Sequence, residues 1–192
     1  MAPNTREQFI DVARQLFARK GIEHTTMNDI ATASERGRRT IYTYFRTKSE
    51  IYQAVIEEES TRIITELKSK VEKQATPGDK LRALMEYRIE IAIDQHNGHN
   101  LWFKSIFSRD AKRANTVRAM TTGRIYSMID EIIASGIESG DFIPEQALRL
   151  PSMLTVLVRG SDLVIMRGAE KSVIDRWRTE CIDFIINAIE VK

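Results

Sequence analysis

Apolar residues recur about every 3.6 positions along almost the whole chain, which is the spacing of one face of an α-helix. The first helix is expected over residues 6–19, where Phe9, Ala13 and Phe17 share a face. The same pattern predicts further helices at residues 27–34, 38–45, 48–71, 80–95, 100–109, 114–135, 146–167 and 171–191. No segment has the pattern of a strand, so the sequence predicts an all-α fold of about nine helices.

Residues that cap helix N-termini precede several of these segments. In a capping box, a hydroxyl residue is followed three positions later by an acid or amide residue, and each side chain bonds the free backbone amide of the other residue. Three such pairs are expected to open helices: Thr5 with Gln8, Thr26 with Asp29, and Thr47 with Glu50. Pro151 is expected to kink the helix over residues 146–167 or to mark its true start.

The composition is that of a globular protein, with 192 residues of which 42% are hydrophobic and 29% charged. The single cysteine excludes an internal disulfide framework and a cysteine zinc site. No apolar run approaches the roughly 18 residues of a membrane span, and the first residues lack an apolar signal core. We therefore expect a cytoplasmic protein with no membrane partner.

Positive charge is concentrated near the start of the chain. The first 50 residues carry 9 Lys and Arg against 6 Asp and Glu, whereas the rest of the chain carries 20 against 21. Five cations and no acid lie between Arg36 and Lys48. Such a stretch is a candidate contact surface for nucleic acid, the alternative being an ordinary solvated face.

The three short helices over residues 6–45 have the layout of a helix-turn-helix unit, with the tight turn between the second and third. In that layout the third helix enters the major groove of DNA. Its inner residues Ile41, Tyr44 and Phe45 are expected to hold it on the scaffold, which leaves its other side for the bases.

Ten residues around the third helix are candidates for DNA contact. Arginine can give two parallel hydrogen bonds to guanine, whereas hydroxyls and lysine near helix starts suit phosphate oxygens. The candidates are Thr25, Thr26, Arg36, Arg38, Arg39, Thr40, Tyr42, Thr43, Tyr44 and Lys48.

The stretch from Phe9 to Val55 resembles the DNA-binding domain of TetR-family transcriptional regulators. The matching residues are Ala13, Leu16-Phe17, Gly21, Thr25-Thr26, Ile30-Ala31, Thr40-Ile41-Tyr42, Tyr44-Phe45, Lys48 and Ile51. The resemblance implies phosphate contacts by the following residues: Thr26, Tyr42, Tyr44 and Lys48. It also implies that Arg38 and Arg39 begin the recognition helix.

The turn before the third helix departs from the pattern of the family, which usually has a glycine, an apolar residue and a serine there. This chain has Glu35, Arg36 and Gly37 instead. Glu35 is therefore expected where a positive φ is often needed, and Arg36 brings a charge that can point at phosphate. Gly37 is expected to cap the third helix less well than serine.

The resemblance divides the chain into a DNA-binding domain over residues 1–47 and an effector-binding and dimerisation domain over residues 48–192. Aromatic residues of the larger domain can fill a core or line a pocket, and the resemblance favours an effector pocket. The pocket candidates are Tyr87, Trp102, Phe103, Phe107 and Tyr126. Wide apolar stripes on the last two helices indicate either a second copy of the chain or packing within the domain. The interface candidates are Leu157, Gly160, Val164, Trp177, Cys181, Phe184 and Ile185.

These features together predict a homodimeric, ligand-responsive transcriptional repressor that binds a palindromic site in double-stranded DNA. Its small-molecule effector is unidentified, and no metal or other cofactor is expected. Two other classes stay open: a helical small-molecule binding module without specific DNA recognition, and a small helical enzyme that uses His96 and His99. No catalytic motif is present, and the consecutive Glu57, Glu58 and Glu59 are expected to be solvated, so we expect the protein not to be an enzyme.

Overall fold

A computed structural model of the chain describes residues 4–97 and 111–191, which are almost entirely helical. The helices are α1 (Thr5–Lys20), α2 (Met27–Ala33), α3 (Arg38–Tyr44), α4 (Lys48–Glu72), α5 (Pro77–Asn97), α6 (Ala111–Glu138), α7 (Pro144–Ala147), α8 (Leu150–Met166) and α9 (Lys171–Ile189). The prediction of an all-α fold is confirmed. The helix predicted over residues 100–109 lies outside the described residues.

Two of the three predicted N-caps are confirmed. Before α2, the Asp29 amide donates to the Thr26 hydroxyl at 3.1 Å and the Thr26 amide donates to the Asp29 carboxylate at 2.8 Å. Before α4, the Glu50 amide donates to the Thr47 hydroxyl at 3.2 Å. The Glu50 carboxylate, however, accepts its second bond from the amide of Arg46 at 2.7 Å.

Helices α1 and α5 begin earlier than predicted, because each has an N-cap residue that was not recognised from the sequence. The N-cap of α1 is Asn4 rather than Thr5, and the Asn4 amide donates to the Glu7 carboxylate at 3.1 Å. The N-cap of α5 is Thr76, whose hydroxyl accepts from the Asp79 amide at 3.1 Å. Proline at the first helical position then loses no hydrogen bond. The segment between α4 and α5 is therefore shorter than the predicted helix bounds imply.

Pro151 lies in the first turn of α8, which begins at Leu150. A separate single turn, α7, precedes it and begins with Pro144. Proline is tolerated at these positions because the first amides of a helix have no partner within it. Of the two expectations for Pro151, the one that it marks a true helix start is therefore confirmed.

The described residues divide into two compact units. The first comprises residues 4–62 and 111–120, and the second comprises residues 63–97 and 121–191. Helix α4 contributes to both, since the division falls between Arg62 and Ile63.

The first unit buries one face each of α1, α2, α3 and the start of α4. Ile41 and Phe45 are only 0% and 3% exposed, so the prediction that they anchor α3 is confirmed. The prediction that Tyr44 faces inward is wrong, because its side chain is 41% exposed. Its ring still packs beside Phe9, with the ring centroids 5.9 Å apart.

The second unit is built around a single apolar core to which α4 to α9 all contribute. Phe142 belongs to this core although it lies in the loop between α6 and α7. Its ring packs directly against the backbone of Gly136, where a Cβ atom would collide with it. An isolated antiparallel bridge joins Phe142 to Glu190, just beyond α9. Within the described ranges, no helix is long and apolar enough to cross a membrane.

Candidate nucleic-acid interface

The turn between α2 and α3 has a regular helix-ending geometry. The Glu35 amide donates to the Thr32 carbonyl and the Arg36 amide donates to the Ala31 carbonyl, both at 3.0 Å, which is the Schellman pattern. Glu35 has the expected positive φ, of 54°. Gly37 caps α3 without a side-chain hydrogen bond, as expected for a residue that has no side chain.

Glu35→Gly is expected to raise the free energy of unfolding by about 0.5–1 kcal/mol. The left-handed conformation costs a residue with a Cβ atom about 1–2 kcal/mol, and the larger chain entropy of unfolded glycine offsets part of that gain. Chemical unfolding followed by circular dichroism measures the change. Gly37→Ala is the control, because Gly37 has a φ of −63° and its Cβ would meet only Thr40, at 3.7 Å. A Glu35→Gly protein of equal or lower stability would contradict this account.

The outward face of α3 carries Arg38, Arg39, Tyr42 and Thr43, all exposed as predicted, with Thr40 half-buried beside them. The guanidinium carbon of Arg38 lies 6.0 Å from the centroid of the Tyr42 ring. The Thr43 hydroxyl donates to the carbonyl of Arg39 at 3.2 Å, within the helix. This face therefore presents two guanidinium groups, one of which lies over an aromatic ring.

Arg36 connects the turn to α1. Its guanidinium donates to the side-chain oxygen of Gln8 at 3.4 Å, and the Gln8 amide group donates to the carbonyl of Ser34 at 3.1 Å. Arg36 is exposed and carries further N–H donors beyond this bond. It can therefore hold the turn and reach an anion at the same time.

Of the DNA-contact candidates at the starts of α2 and α4, one differs from expectation. Thr25 is 0% exposed and its hydroxyl donates to the Gly21 carbonyl at 2.8 Å, so its predicted phosphate contact is wrong in this conformation. Thr26 is exposed and caps α2. The half-buried Lys48 donates through Nζ to the Ile22 carbonyl at 2.6 Å. Thr25 and Lys48 therefore both fix the loop between α1 and α2.

The carboxylate that caps α2 is strongly stabilised in its charged form. A hydrogen bond from the Lys20 ammonium at 2.8 Å, with those from Thr26, lowers the pKa of Asp29 to about 2. A lowered pKa stabilises the fold above the pKa of the unfolded group, and that contribution is lost as the pH falls towards 2. The cap is therefore fully charged at neutral pH.

A cluster of charged side chains joins α1 to α4, and the sequence analysis missed it. Glu59 is only 3% exposed, so the prediction that it is solvated is wrong. Its carboxylate lies 3.4 Å from Arg14 of α1 and accepts bonds from Arg62 at 3.0 and 3.2 Å. Burial raises the pKa of the neighbouring Glu58, against the opposing charge of Arg14. The signal was available, since Glu59 lies four residues after the buried Val55, on the apolar face of α4.

Two of the five pocket candidates lie among the described side chains, and both are in the second unit. Tyr87 is buried, with the Lys70 ammonium 4.8 Å from its ring centroid. Tyr126 is half-buried against the core, and its buried hydroxyl has no hydrogen-bond partner within the described part of the chain. The remaining candidates, Trp102, Phe103 and Phe107, lie outside the described residues.

The second unit also contains two cavities whose described lining includes neither Tyr87 nor Tyr126. A groove of about 380 Å³ lies between α4, the start of α5 and α6. Its lining residues are Ile64, Lys68, Val71, Glu72, Lys80, Arg124, Ser127, Met128, Glu131, Ile132 and Ser135. A smaller cavity of about 30 Å³ is apolar except for Arg88 and lies beside Trp177. Neither cavity could be predicted from the periodicity of the sequence, because each depends on how separate helices pack against one another.

The interface candidates on α8 and α9 separate into two groups. Val164 and Phe184 are 47% and 74% exposed, and Gly160 is exposed as well. Leu157 and Trp177 are half-buried and pack against the core of their own unit, to which the buried Ile185 belongs. Ile185 is therefore not available for an interface, contrary to expectation.

Cys181 is half-buried, and that burial raises the pKa of its thiol, with a further contribution from Glu180.

The histidines of the enzyme alternative cannot be placed as a pair, because His99 lies outside the described residues. Among the side chains that the structure describes, no three of His, Cys, Asp and Glu come together as a metal site. The clearest concentration of functional groups is therefore the exposed face of α3 with its flanking loop.

Two family models match the chain. One, described as bacterial regulatory proteins of the TetR family, matches residues 9–55, and the other, described as a tetracyclin repressor-like C-terminal domain, matches residues 74–158. Together they span more than half of the chain. The chain belongs to the TetR family. Residues 9–55 are the helix-turn-helix DNA-binding domain of that family. TetR-family members are regulators, and the prediction that the chain is not an enzyme is confirmed.

Curated relatives agree with the TetR assignment. The HTH-type transcriptional regulator AcrR of Shigella flexneri is 36% identical over 91 residues, which cover 47% of this chain and 41% of that protein. The HTH-type transcriptional regulator YhgD of Bacillus subtilis is 25% identical over 148 residues, 75% of each chain. The chain thus matches less than half the length of AcrR.

Solved structures share the TetR fold over nearly the whole chain. A TetR transcriptional regulator from Chloroflexus aurantiacus has a TM-score of 0.68 at 17% identity, covering 98% of this chain and 97% of that one. At this level of identity the likeness concerns the fold alone.

Proposed function

We propose that the chain is a sequence-specific transcriptional regulator, a repressor that binds a palindromic operator as a dimer and releases it when an effector binds. The observation that carries the proposal is the face of α3. Arg38 and Arg39 are exposed there, while Ile41 and Phe45 hold the helix from behind. A short basic helix anchored in this way can enter the major groove and bring guanidinium groups to base edges.

Phosphate contacts are assigned to side chains on the border of that face. Tyr44 and Thr26 are exposed, Arg36 has donors to spare, and Lys48 adds positive charge at the start of α4. Thr25 is left out, because it is buried and its hydroxyl is already bonded. Contacts of this kind position a protein on DNA without reading the sequence.

Dimerisation is assigned to the exposed apolar side chains of α8 and α9. Val164, Val173 and Phe184 are 47%, 52% and 74% exposed, so they offer apolar side chains that a second copy could cover. A two-fold dimer pairs naturally with a palindromic site, whose half-sites lie about 34–36 Å apart or a multiple of that distance. The same proposal places the protein in the cytoplasm, because its operator DNA lies there.

Effector binding is assigned to the second unit. The groove between α4, α5 and α6 has a volume of about 380 Å³, within the range of about 300–1,000 Å³ that small-molecule sites occupy. An effector there can shift the protein away from its DNA-binding state only by binding the other state more tightly.

Selection of bound duplexes from a randomised pool, followed by binding measurements across a salt series, tests the proposal. The selected duplex is expected to bind at least about a hundredfold more tightly than random DNA. If 6–10 phosphates are contacted, its affinity is expected to fall by about 10³–10⁵ between 50 and 200 mM salt, because neutralised phosphates release their counterions.

Two variants sharpen this experiment. Lys48→Ala is expected to weaken binding to selected and random DNA by a similar factor, because phosphate contacts carry no sequence information. Lys171→Ala removes one charge at the exposed start of α9 and should leave binding unchanged. A selection that enriches no sequence, with equal weak binding to all duplexes, would refute sequence-specific regulation and leave a small-molecule binding module as the better account.

A further inference from the structure

Arg38 and Tyr42 form a pair on the DNA-facing side of α3. They are four residues apart, so they lie one above the other on the same face of the helix. The guanidinium carbon is 6.0 Å from the ring centroid, within the range of a cation–π contact. Tyr42 is 43% exposed, and Arg38 is exposed as well. The pair is therefore on the surface and does not belong to the core.

Neighbouring polar groups on this surface already have bonds elsewhere. The Thr43 hydroxyl bonds the carbonyl of Arg39, and the Arg36 guanidinium bonds the side chain of Gln8. The ring of Tyr44 packs beside Phe9. The aromatic support that the structure places beneath a guanidinium of α3 is thus specific to Arg38.

A guanidinium that is held in the orientation required for base contact binds a base edge at a lower entropic cost. Arginine gives two parallel hydrogen bonds to N7 and O6 of guanine only when its plane is correctly aimed. A free arginine side chain must give up rotational freedom to reach that geometry, whereas one stacked on a ring has given up part of it beforehand. Because Arg38 is exposed, its guanidinium also remains accessible to a base edge.

We infer that Tyr42 is a positioning residue whose ring holds Arg38 for two-bond recognition of a guanine, so that each operator half-site contains a guanine opposite Arg38. The inference rests on the proposed DNA-binding function and goes beyond it in naming the base and the residue that orients its reader. The hydroxyl of Tyr42 is separate from this role, because the resemblance to TetR-family regulators implies a phosphate contact for it.

The test compares the selected duplex with two altered versions, in which the guanine is replaced by adenine or by 7-deazaguanine, which lacks the N7 acceptor. The wild-type protein is expected to prefer guanine by about 5- to 150-fold over adenine, the range of one two-bond contact. The 7-deazaguanine duplex should bind less tightly than the guanine duplex. Arg38→Ala should lose most of the preference, because it removes every N–H donor from the base contact.

Variants of Tyr42 separate the ring from the hydroxyl. Tyr42→Phe keeps the ring, so it should keep the guanine preference and weaken all duplexes by the same factor. Tyr42→Leu and Tyr42→Gln lose the ring, so both should lower the preference for guanine as well as the affinity. A merely structural role for the ring would weaken every duplex equally and leave the preference intact. Circular dichroism and thermal melting confirm that each variant is folded, and either ring-deleting variant suffices.

Three results are decisive. A selected sequence that requires a base other than guanine opposite Arg38 overturns the inference, and so does a guanine preference that survives unchanged in Tyr42→Leu or Tyr42→Gln. In both cases the protein still binds a specific sequence, so the proposed function stands. A selection that enriches no sequence at all instead counts against the proposed function.

Discussion

Replacing Phe142 with alanine is expected to lower the free energy of unfolding by about 3–5 kcal/mol, the range for removing a large aromatic side chain from a well-packed core. Phe142 is 1% exposed and belongs to the core of the second unit. Its ring lies against Gly136, whose carbonyl accepts a hydrogen bond from the Phe142 amide at 2.9 Å. The backbone is thus pinned in place, so the cavity left by alanine cannot easily close. Urea unfolding followed by far-ultraviolet circular dichroism measures the loss.

Two companion variants test whether burial is the cause. Leu148→Ala removes an apolar side chain that is 69% exposed, so its effect should stay within about 0.5 kcal/mol. Gly136→Ala keeps the ring but adds a Cβ atom where the ring lies, so it should also be destabilising, by about 1–3 kcal/mol. A Phe142→Ala protein that loses less than about 1 kcal/mol would show that the loop does not pack as described.

Arg14→Met is expected to lower the free energy of unfolding by about 2–3 kcal/mol. The change removes one of the two cations that pair with the carboxylate of Glu59, which is 3% exposed. Stripping the partner from a buried ion pair commonly costs about 3–5 kcal/mol. The cost is lower here because Arg62 keeps its two hydrogen bonds to Glu59. Thermal or chemical unfolding of the purified variant measures it.

The double variant Arg14→Met with Glu59→Met provides the sharper comparison. Apolar residues of similar volume often replace a buried ion pair at no net cost. The double variant should therefore recover to within about 1 kcal/mol of the wild-type protein, although each change alone is destabilising. Additive losses would mean that the charges make no coupled contribution. A recovery would show that the charged cluster adds little net stability compared with apolar residues of similar volume.

Periodicity predicted the elements of the DNA-binding domain well, because buried positions of a short amphipathic helix repeat with its turn. Ile41 and Phe45 were recognised in this way, and both hold α3 in place. The positive φ of Glu35 was predicted because Glu35 stands where the family usually has a glycine. Such a prediction is possible since the backbone geometry at a helix end depends on nearby residues. Signals that depend on a few neighbouring residues can be interpreted from a single sequence.

The errors concern side chains whose environment depends on distant residues. Thr25 was predicted at a phosphate, yet the folded unit buries its side chain, and its hydroxyl bonds the carbonyl of Gly21. Glu59 was taken for a solvated acid, because only the fold brings Arg14 of another helix beside it. Ile185 lies on an apolar stripe, but a stripe alone does not say whether it meets its own core or a second copy.

Trp177 lines the small apolar cavity of the second unit, and it is one of two tryptophans in the chain. Indole emission changes with the polarity and packing around the ring, so an effector that binds the larger groove and repacks the core of the second unit should alter the intrinsic fluorescence. A Trp102→Phe variant would leave Trp177 as the sole emitter. The first 62 residues contain no tryptophan, so the optical signal from Trp177 would come from the second unit. Effector candidates could then be screened without a dye, a label or knowledge of the operator.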